Sequence, residues 1–423
     1  MKRRHSVGNH EFNPETLALG FGYEPARSEG SVKPPVFLTS TFQFESAEDG
    51  KKFFELAYGL REPDEGEDPG LIYSRLNNPN LQIFEERLAA WDRTERGATF
   101  ASGMAAISTT LLALAKPGEV ILSTNPVYGG THYLMTRILP SFGVRVRFVD
   151  AGSDAAAAVA AAALEEGEDK IRAIFLETPA NPSIVHTDIQ GISEVAKRIA
   201  HTYGTEVATV VDNTFLGPVF QRPAEFGADL VVYSATKFIG GHSDLIAGVV
   251  TGSGPWMAKV LELRTILGTM TTPFNGWLLL RSLETLSVRM RRQAKTAMKL
   301  AKLLQSHEKV TRVIYPGLLE KGDPQHEIYK RQCTGPGSLI AFEVEGGEEA
   351  AFAVLNRFEV ARLAVSLGGT ETLVEHPMRM THADVSPEEL ATHGVSAGLI
   401  RMSVGLEHVS DLRRDLKHAL AIL

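Results

Sequence analysis

A single cysteine, Cys333, occurs among 423 residues. One thiol cannot build a disulfide framework or a cysteine-based zinc site, and no metal site is expected. A reducing cytoplasm is the expected compartment, with Cys333 as an inert structural thiol. No apolar run approaches the ~20 residues of a membrane-crossing helix, so no membrane partner is expected. The opening Met1-Lys2-Arg3-Arg4-His5 is basic but no apolar segment follows it, and it does not read as a secretory signal. Positive charge is outnumbered, with 43 Lys and Arg against 51 Asp and Glu: the formal net charge is -8 and there is no dense Lys/Arg stripe, which argues against nucleic acid as a partner. No internal repeat is visible. What remains is an ordinary globular composition, 43% hydrophobic and 22% charged, long enough for two or three domains.

Residues 1 to about 75 show little periodicity beyond a short strand-like Thr39 to Phe44, and they read as an extended arm. Within the arm, Arg61 to Gly70 is acidic and rich in Pro and Gly, which predicts an exposed loop. From Asn80 the pattern changes. Leu81, Phe84, Leu88 and Trp91 recur at helical spacing. Strand signals then alternate with helical ones: Val120–Leu122, Val144–Val149, Ala173–Leu176, Val207–Val211, Leu230–Tyr233 and Ile246–Val250. Such alternation predicts βαβ units and a largely parallel α/β sheet. The alanine-rich Ala155 to Ala163 predicts an outer helix. One long helical stretch is expected from about Trp277 to Ser306, followed by strand signals at Leu339–Val344 and Leu399–Val404 that read as a smaller α+β domain.

The chemistry-bearing residues sit where these strand signals stop. The apolar run Leu230–Tyr233 ends in Ser234-Ala235-Thr236-Lys237, with glycines following. Val207–Val211 ends in Asp212-Asn213-Thr214. Open α/β sheets collect their active sites at such strand ends. A lysine able to form a Schiff base, a carboxylate able to pair with a ring nitrogen and hydroxyls able to hold a phosphate are what pyridoxal phosphate requires. Ala101-Ser102-Gly103-Met104 reads as a small-residue turn opening a helix, either an anion cradle or a plain tight turn. Tyr128, beside Gly129 and Gly130, suits stacking on a planar ring or simple loop packing. Asn181, between two prolines, projects an amide into the crevice or serves the turn alone. Tyr73-Ser74-Arg75 offers either a bidentate phosphate contact or a surface arginine. Arg401 interrupts an apolar strand, where a charge needs a partner: a substrate carboxylate or a structural ion pair.

Taken in order, Tyr73-Ser74-Arg75, Ser102-Gly103-Met104, Tyr128-Gly129-Gly130, Glu177-Thr178-Pro179-Ala180-Asn181-Pro182, Asp212-Asn213-Thr214, Ser234-Ala235-Thr236-Lys237, Ser366-Leu367-Gly368-Gly369 with His376-Pro377, and Arg401 to Glu407 resemble the γ-family of fold-type I pyridoxal phosphate enzymes of cysteine and methionine metabolism. The resemblance runs from about Lys33 to the C-terminus. It implies a mostly parallel seven-stranded sheet flanked by helices, with an arm (1–77), a large cofactor domain (78–280) and a small C-terminal domain (281–423). It implies that Lys237 carries the cofactor as a Schiff base and moves protons, that Asp212 pairs with the pyridine nitrogen, and that Tyr128 stacks on the ring and can act as acid or base. Ser102, Gly103, Met104, Ser234 and Thr236 would hold the phosphate, joined by Tyr73 and Arg75 from a neighbouring subunit. Arg401, Asn181 and the Ser366 backbone would bind the carboxylate of a small amino-acid substrate. The implied assembly is a homotetramer made of two catalytic dimers.

The implied activity is γ-elimination or γ-replacement on a sulfur amino acid or activated homoserine, with methionine γ-lyase-like cleavage first. Cystathionine γ-synthase or O-acylhomoserine sulfhydrylase activity is the alternative, and a non-catalytic binding protein a remote one. Val365, beside Ser366, stands where cystathionine γ-lyases usually carry glutamate and methionine γ-lyases an apolar residue. Gly130 matches the cystathionine enzymes instead. Arg264-Thr265 stands where methionine γ-lyases carry a Lys-Asp pair, and is expected in a selectivity loop. The acidic stretch before Tyr73 matches no subtype.

Overall fold

The computed structural model describes residues 6–64, 67, 70–383 and 387–423. The acidic stretch expected as an exposed loop therefore lies partly outside the described residues, at Glu65, Gly66, Asp68 and Pro69. Arg61 holds Glu67 through Nη1 and Nη2, at 2.8 and 2.6 Å.

Seven strands form the central sheet: β1 Arg96–Phe100, β2 Val120–Asn125, β3 Arg145–Asp150, β4 Ile171–Glu177, β5 Ala208–Asp212, β6 Leu230–Tyr233 and β7 Gly248–Gly252. Their spatial order is β1-β7-β6-β5-β4-β2-β3. Strands β2 to β6 run parallel, and β7 is antiparallel to both its neighbours. Successive side chains of a strand point to opposite faces. In the inner strands both faces are buried. Leu122, Ile174, Leu176, Val211 and Val231 pack with Phe84, Leu88, Val159 and Ile192 of the helices Pro79–Asp92, Ala155–Glu166 and Ile189–Tyr203. Ile121, Phe175, Val210, Val232 and Val250 pack with Ile107 and Val260 of the helices Gly103–Leu114 and Gly254–Leu267. Double burial explains why these strands read as continuous apolar runs rather than alternating ones. The mostly parallel seven-stranded expectation holds.

A second sheet has five strands: β8 Val310–Ile314, β9 Leu339–Val344, β10 Arg362–Leu363, β11 Leu373–Glu375 and β12 Leu399–Ser403, in the order β8-β9-β12-β11-β10. Ala297, Leu300 and Leu304 of the helix Leu286–Gln305 and Leu412 and Leu416 of the helix Val409–Leu420 cover it.

Three expectations need correction. The stretch from Trp277 to Ser306 is two helices, Pro273–Leu283 and Leu286–Gln305. The carbonyl of Ser282 receives Arg289 Nη2 at 2.9 Å and Thr285 N at 3.2 Å, so the chain tightens there instead of continuing. The arm holds the helices Pro14–Gly20 and Ala47–Ala57. Ser46 caps the second by accepting from Asp49 N at 3.0 Å, a Ser-x-x-acid signal that marks a helix start. Thr39 to Phe44 forms only a bridge, Thr41 to Tyr73, flanked by Phe42 N to Ile72 O and Ser74 N to Ser40 O.

Candidate active site

The site collects at the C-terminal ends of the parallel strands. Asp212 ends β5, the middle strand of the sheet, and lies directly across from Glu177, which ends β4. Both are buried. Thr214 bonds Asp212 Oδ1 twice, from its N–H at 3.0 Å and its hydroxyl at 2.6 Å. The same hydroxyl accepts Ser234 N at 2.9 Å, so Thr214 ties the end of β5 to the turn after β6. Among the described residues no hydrogen bond falls on Oδ2, which stays available to a ring N–H. Burial raises the Asp212 carboxyl to about 6 against the Thr214 bonds, which lower it.

Lys237 follows in that turn, its N–H bonded to Ser234 O. Its Nζ donates to Ser366 Oγ at 2.8 Å. Burial lowers the Lys237 ammonium to about 8; the charge of Arg401 adds to the lowering and Glu375 opposes it. Ser366 adopts φ 126°, a region that disfavours any residue with a Cβ. Such a conformation costs on the order of 1–3 kcal/mol and persists where the surroundings enforce it. It is enforced here from both sides: Ser366 O accepts Arg401 Nη2 at 3.1 Å while Ser366 Oγ meets Lys237.

Arg401 sits mid-strand in β12, across from Glu375 of β11. It pairs with Glu375 Oε1 at 2.8 Å and donates from Nη1 to Asn181 Oδ1 at 2.9 Å. The structural ion pair is present, and the same guanidinium also meets Asn181 and Ser366. Asn181 lies in a rigid turn whose Thr178-Pro179 and Asn181-Pro182 bonds are cis. Its N–H goes to Glu177 Oε1 at 2.7 Å, and the N–H of Tyr128 goes to Glu177 Oε2 at 2.8 Å.

The third part is the turn into the helix Gly103–Leu114. The first N–H groups of a helix have no intrahelical acceptor and attract anions. A Cβ on Gly103 would stand 2.8 Å from Ser234 Cβ and 3.0 Å from its Oγ, so glycine is what lets that helix start approach the Ser234 turn so closely. The Ser102 hydroxyl caps the helix by accepting Ala105 N at 3.0 Å. The Thr236 hydroxyl donates to Ala247 O at 3.1 Å and accepts Ala247 N at 3.0 Å, which shapes the turn around Lys237. A Cβ on Gly130 would come within 2.7 Å of the Tyr128 ring and 3.1 Å of Met104 Sδ, so the lack of a side chain there leaves room for both. Tyr128 and Val365 remain exposed.

Tyr73 and Arg75 form a separate group. Arg75 Nη1 donates to Thr265 O at 2.6 Å, and its guanidinium carbon lies 6.0 Å from the centre of the Tyr73 ring. With Ser40, Ser74 and Met270–Pro273 they line an open cavity of about 300 Å³. Arg264 is not in a selectivity loop. It lies buried in the helix Gly254–Leu267 and binds Glu85 Oε1 at 2.7 Å and Thr99 O at 3.2 Å. The Cys333 thiol donates to Gln221 Oε1 at 3.1 Å, and burial raises its pKa well above the usual thiol range. Among the described residues, no helix is long and apolar enough to cross a membrane and no group of three His, Cys, Asp or Glu could hold a metal.

Sequence reasoning gave no role to Thr214, Glu177 or Glu375. The first two stand in segments already singled out, at strand ends where a polar residue interrupts apolar runs. Glu375 had a weaker signal, an acid inside a three-residue strand.

The sequence profile of the Cys/Met metabolism PLP-dependent enzymes matches residues 15–421. An L-methionine gamma-lyase of Pseudomonas deceptionensis is 39% identical over 413 residues, 97% of each chain. A cystathionine gamma-lyase of Dictyostelium discoideum is 41% identical over 415 residues, 96% of this chain and 97% of that one. The crystal structure of a cystathionine gamma synthase from Xanthomonas oryzae pv. oryzae, in complex with aminoacrylate and cysteine, superposes with a TM-score of 0.85 at 34% identity, covering 97% of this chain and 98% of that one.

Proposed function

The chain belongs to the Cys/Met metabolism PLP-dependent enzymes, and from that premise we propose that it removes or replaces the γ-substituent of a sulfur amino acid or activated homoserine, with methionine γ-lyase-like elimination first. The cofactor is pyridoxal 5'-phosphate. The residues present fit it. Asp212 offers a buried carboxylate oxygen to the ring nitrogen, and the close approach of Gly103 to Ser234 brings helix-start N–H groups and a hydroxyl together, which suits a phosphate. When bound, the cofactor supplies the electron sink for carbanion chemistry at the substrate carbons.

The remaining work falls to the chain. Asp212 keeps a negative charge beside the ring nitrogen, which favours its protonated form. Lys237 Nζ, held near its working range by burial, accepts the proton from the substrate α-carbon and returns protons later. Arg401, steered by Asn181, anchors the substrate carboxylate. Tyr128 covers the ring face. Gly103, Met104 and Ser234 hold the phosphate, with Ser102 and Thr236 shaping the two turns that carry them.

The observation that carries this reading is that Ser366 meets the base with its hydroxyl and the carboxylate anchor with its carbonyl. One residue thereby fixes the distance between proton transfer and substrate recognition. Elimination of a substrate with an uncharged distal end is favoured by the exposed, apolar Val365 beside Ser366. Replacement on an O-acylhomoserine is the second reading, favoured by Gly130, which matches the cystathionine enzymes at that place. The test is incubation of the holoenzyme with methionine, cystathionine and O-acetylhomoserine, with and without sulfide, followed by mass spectrometry of the products. An α-keto acid with ammonia from methionine supports elimination, and a thiol or thioether amino acid formed only with sulfide supports replacement. No product from any of the three overturns both.

We further propose a cytoplasmic homotetramer built from two catalytic dimers. The exposed Tyr73 and Arg75 would complete the phosphate site of the neighbouring subunit, since Tyr73 is bridged to Thr41 and Arg75 bonds Thr265 rather than either meeting Lys237. An arm (1–77), a large domain (78–280) and a small domain (281–423) accommodate the two sheets without splitting either.

A further inference from the structure

Glu177 is a buried carboxylate whose two oxygens serve two different active-site segments. Oε2 accepts the N–H of Tyr128, from the segment after β2, and Oε1 accepts the N–H of Asn181, from the segment after β4. Glu177 itself stands beside Asp212 in the sheet register. Asn181 passes the connection on, because its side-chain oxygen receives Arg401 Nη1. These bonds hold backbone atoms, so they fix where the Tyr128 ring and the Asn181 amide start from whatever those side chains do.

We propose that Glu177 is the positioning residue that sets the spacing between Tyr128 and Asn181, and through them between the ring-covering face and the carboxylate anchor of the site. The inference rests on the functional reading above, in which Tyr128 and Asn181 flank cofactor and substrate. The role requires an anion. Each oxygen of Glu177 faces an N–H donor, and only the carboxylate accepts at both. Burial and the charge of Asp212 push this carboxyl up, opposed by the two backbone N–H groups and Arg401, which favour the charged form that the two-donor geometry calls for. An isosteric amide would turn its own N–H₂ toward one of the two backbone donors and release that segment.

The test uses Glu177→Gln in the holoenzyme reconstituted with pyridoxal phosphate. The cofactor should still attach through Lys237, but its visible circular dichroism should shrink, because the ring-covering segment is no longer held. KM for methionine should rise roughly tenfold and kcat should fall by roughly 10- to 100-fold, the scale expected for a misplacement of about 1 Å. A purely structural role instead predicts a lower melting temperature, with unchanged visible dichroism and unchanged KM for the folded fraction, and that result overturns the proposal. If Glu177→Gln does not fold, Glu177→Asp keeps the charge but cannot span both donors. It should show the same dichroism loss, and normal dichroism with normal KM there also overturns the proposal. Wild-type protein that fails to bind the cofactor at all would instead defeat the functional reading itself.

Discussion

Arg401 Nη2 lies 2.8 Å from Glu375 Oε1, and the two are cross-strand partners inside the small sheet. Both side chains are buried, and among the described residues Glu375 Oε2 has no hydrogen-bond partner. The arginine proposed to anchor the substrate carboxylate is therefore already neutralised. A second carboxylate must share its guanidinium with Glu375, which weakens substrate and product binding alike. Glu375→Gln keeps the shape and removes the charge. Breaking a buried pair leaves an uncompensated charge at a cost of about 3–5 kcal/mol. The variant should melt at a lower temperature, and an added α-keto acid should restore much of the loss. KM for the amino-acid substrate and the inhibition constant of the keto acid should both fall, by roughly tenfold if the local change is near 1.4 kcal/mol. Unchanged KM and unchanged product inhibition would show that Glu375 does not compete with the substrate.

The second prediction concerns pH. Burial and Arg401 lower Lys237 from 10.5 to about 8 in the folded chain. Between those values the unfolded chain binds the proton and the folded chain does not, so the stability of the cofactor-free protein should rise with pH across that window. Below it both states are protonated and the full burial cost remains. Denaturant melts of cofactor-free wild type and Lys237→Met from pH 7 to 10 should diverge, with the variant lacking the rise. Capture of added cofactor should quicken toward pH 8 and then level off. Parallel stability curves for the two proteins would mean that Lys237 titrates as an ordinary surface lysine.

A third prediction separates the two possible homes of the arm residues. Lys237→Ala and Arg75→Ala should each be inactive alone. Mixed and reassociated, they should recover activity, because one site of each hybrid dimer holds both intact residues. Hybrids shown to form but remaining inactive would place Arg75 in its own subunit's site or in no site.

Much of this was legible because the fold concentrates its exceptions. The doubly buried strands β4, β5 and β6 read as apolar runs, and the polar residues that end them, Asp212 and Lys237, stand out for that reason. The helical arm segment Ala47–Ala57 was missed because its capping signal at Ser46 and Asp49 precedes a short, half-exposed helix. Strand β1 was missed because it opens on Arg96-Gly97, which carries no apolar period. Glu177 and Glu375 were missed for a different reason. Their roles depend on neighbours far away in sequence: Tyr128 lies 49 residues from Glu177, and Arg401 reaches Glu375 only through strand register. Composition and spacing carry no record of a pairing made across strands.

The last prediction concerns selectivity, where two residues competed for the role. Arg264 is now accounted for by its buried pair with Glu85, so Arg264→Gln should cost about 3–5 kcal/mol in stability yet leave substrate preference unchanged. Val365 is 56% exposed and directly precedes Ser366, which touches Lys237. Cystathionine carries an ammonium and a carboxylate at its far end. A glutamate at 365 can pair with that ammonium, and valine cannot. An unpaired charge in a partly desolvated pocket costs about 1–3 kcal/mol, which corresponds to roughly a ten- to hundredfold change in preference. Wild type should therefore show a higher kcat/KM for methionine or O-acetylhomoserine than for cystathionine cleavage, and Val365→Glu should narrow the gap by that factor. Competition assays with paired substrates measure the ratio directly. A wild type that cleaves cystathionine best, or a Val365→Glu variant with an unaltered ratio, would reduce Val365 to a packing residue at the mouth of the site.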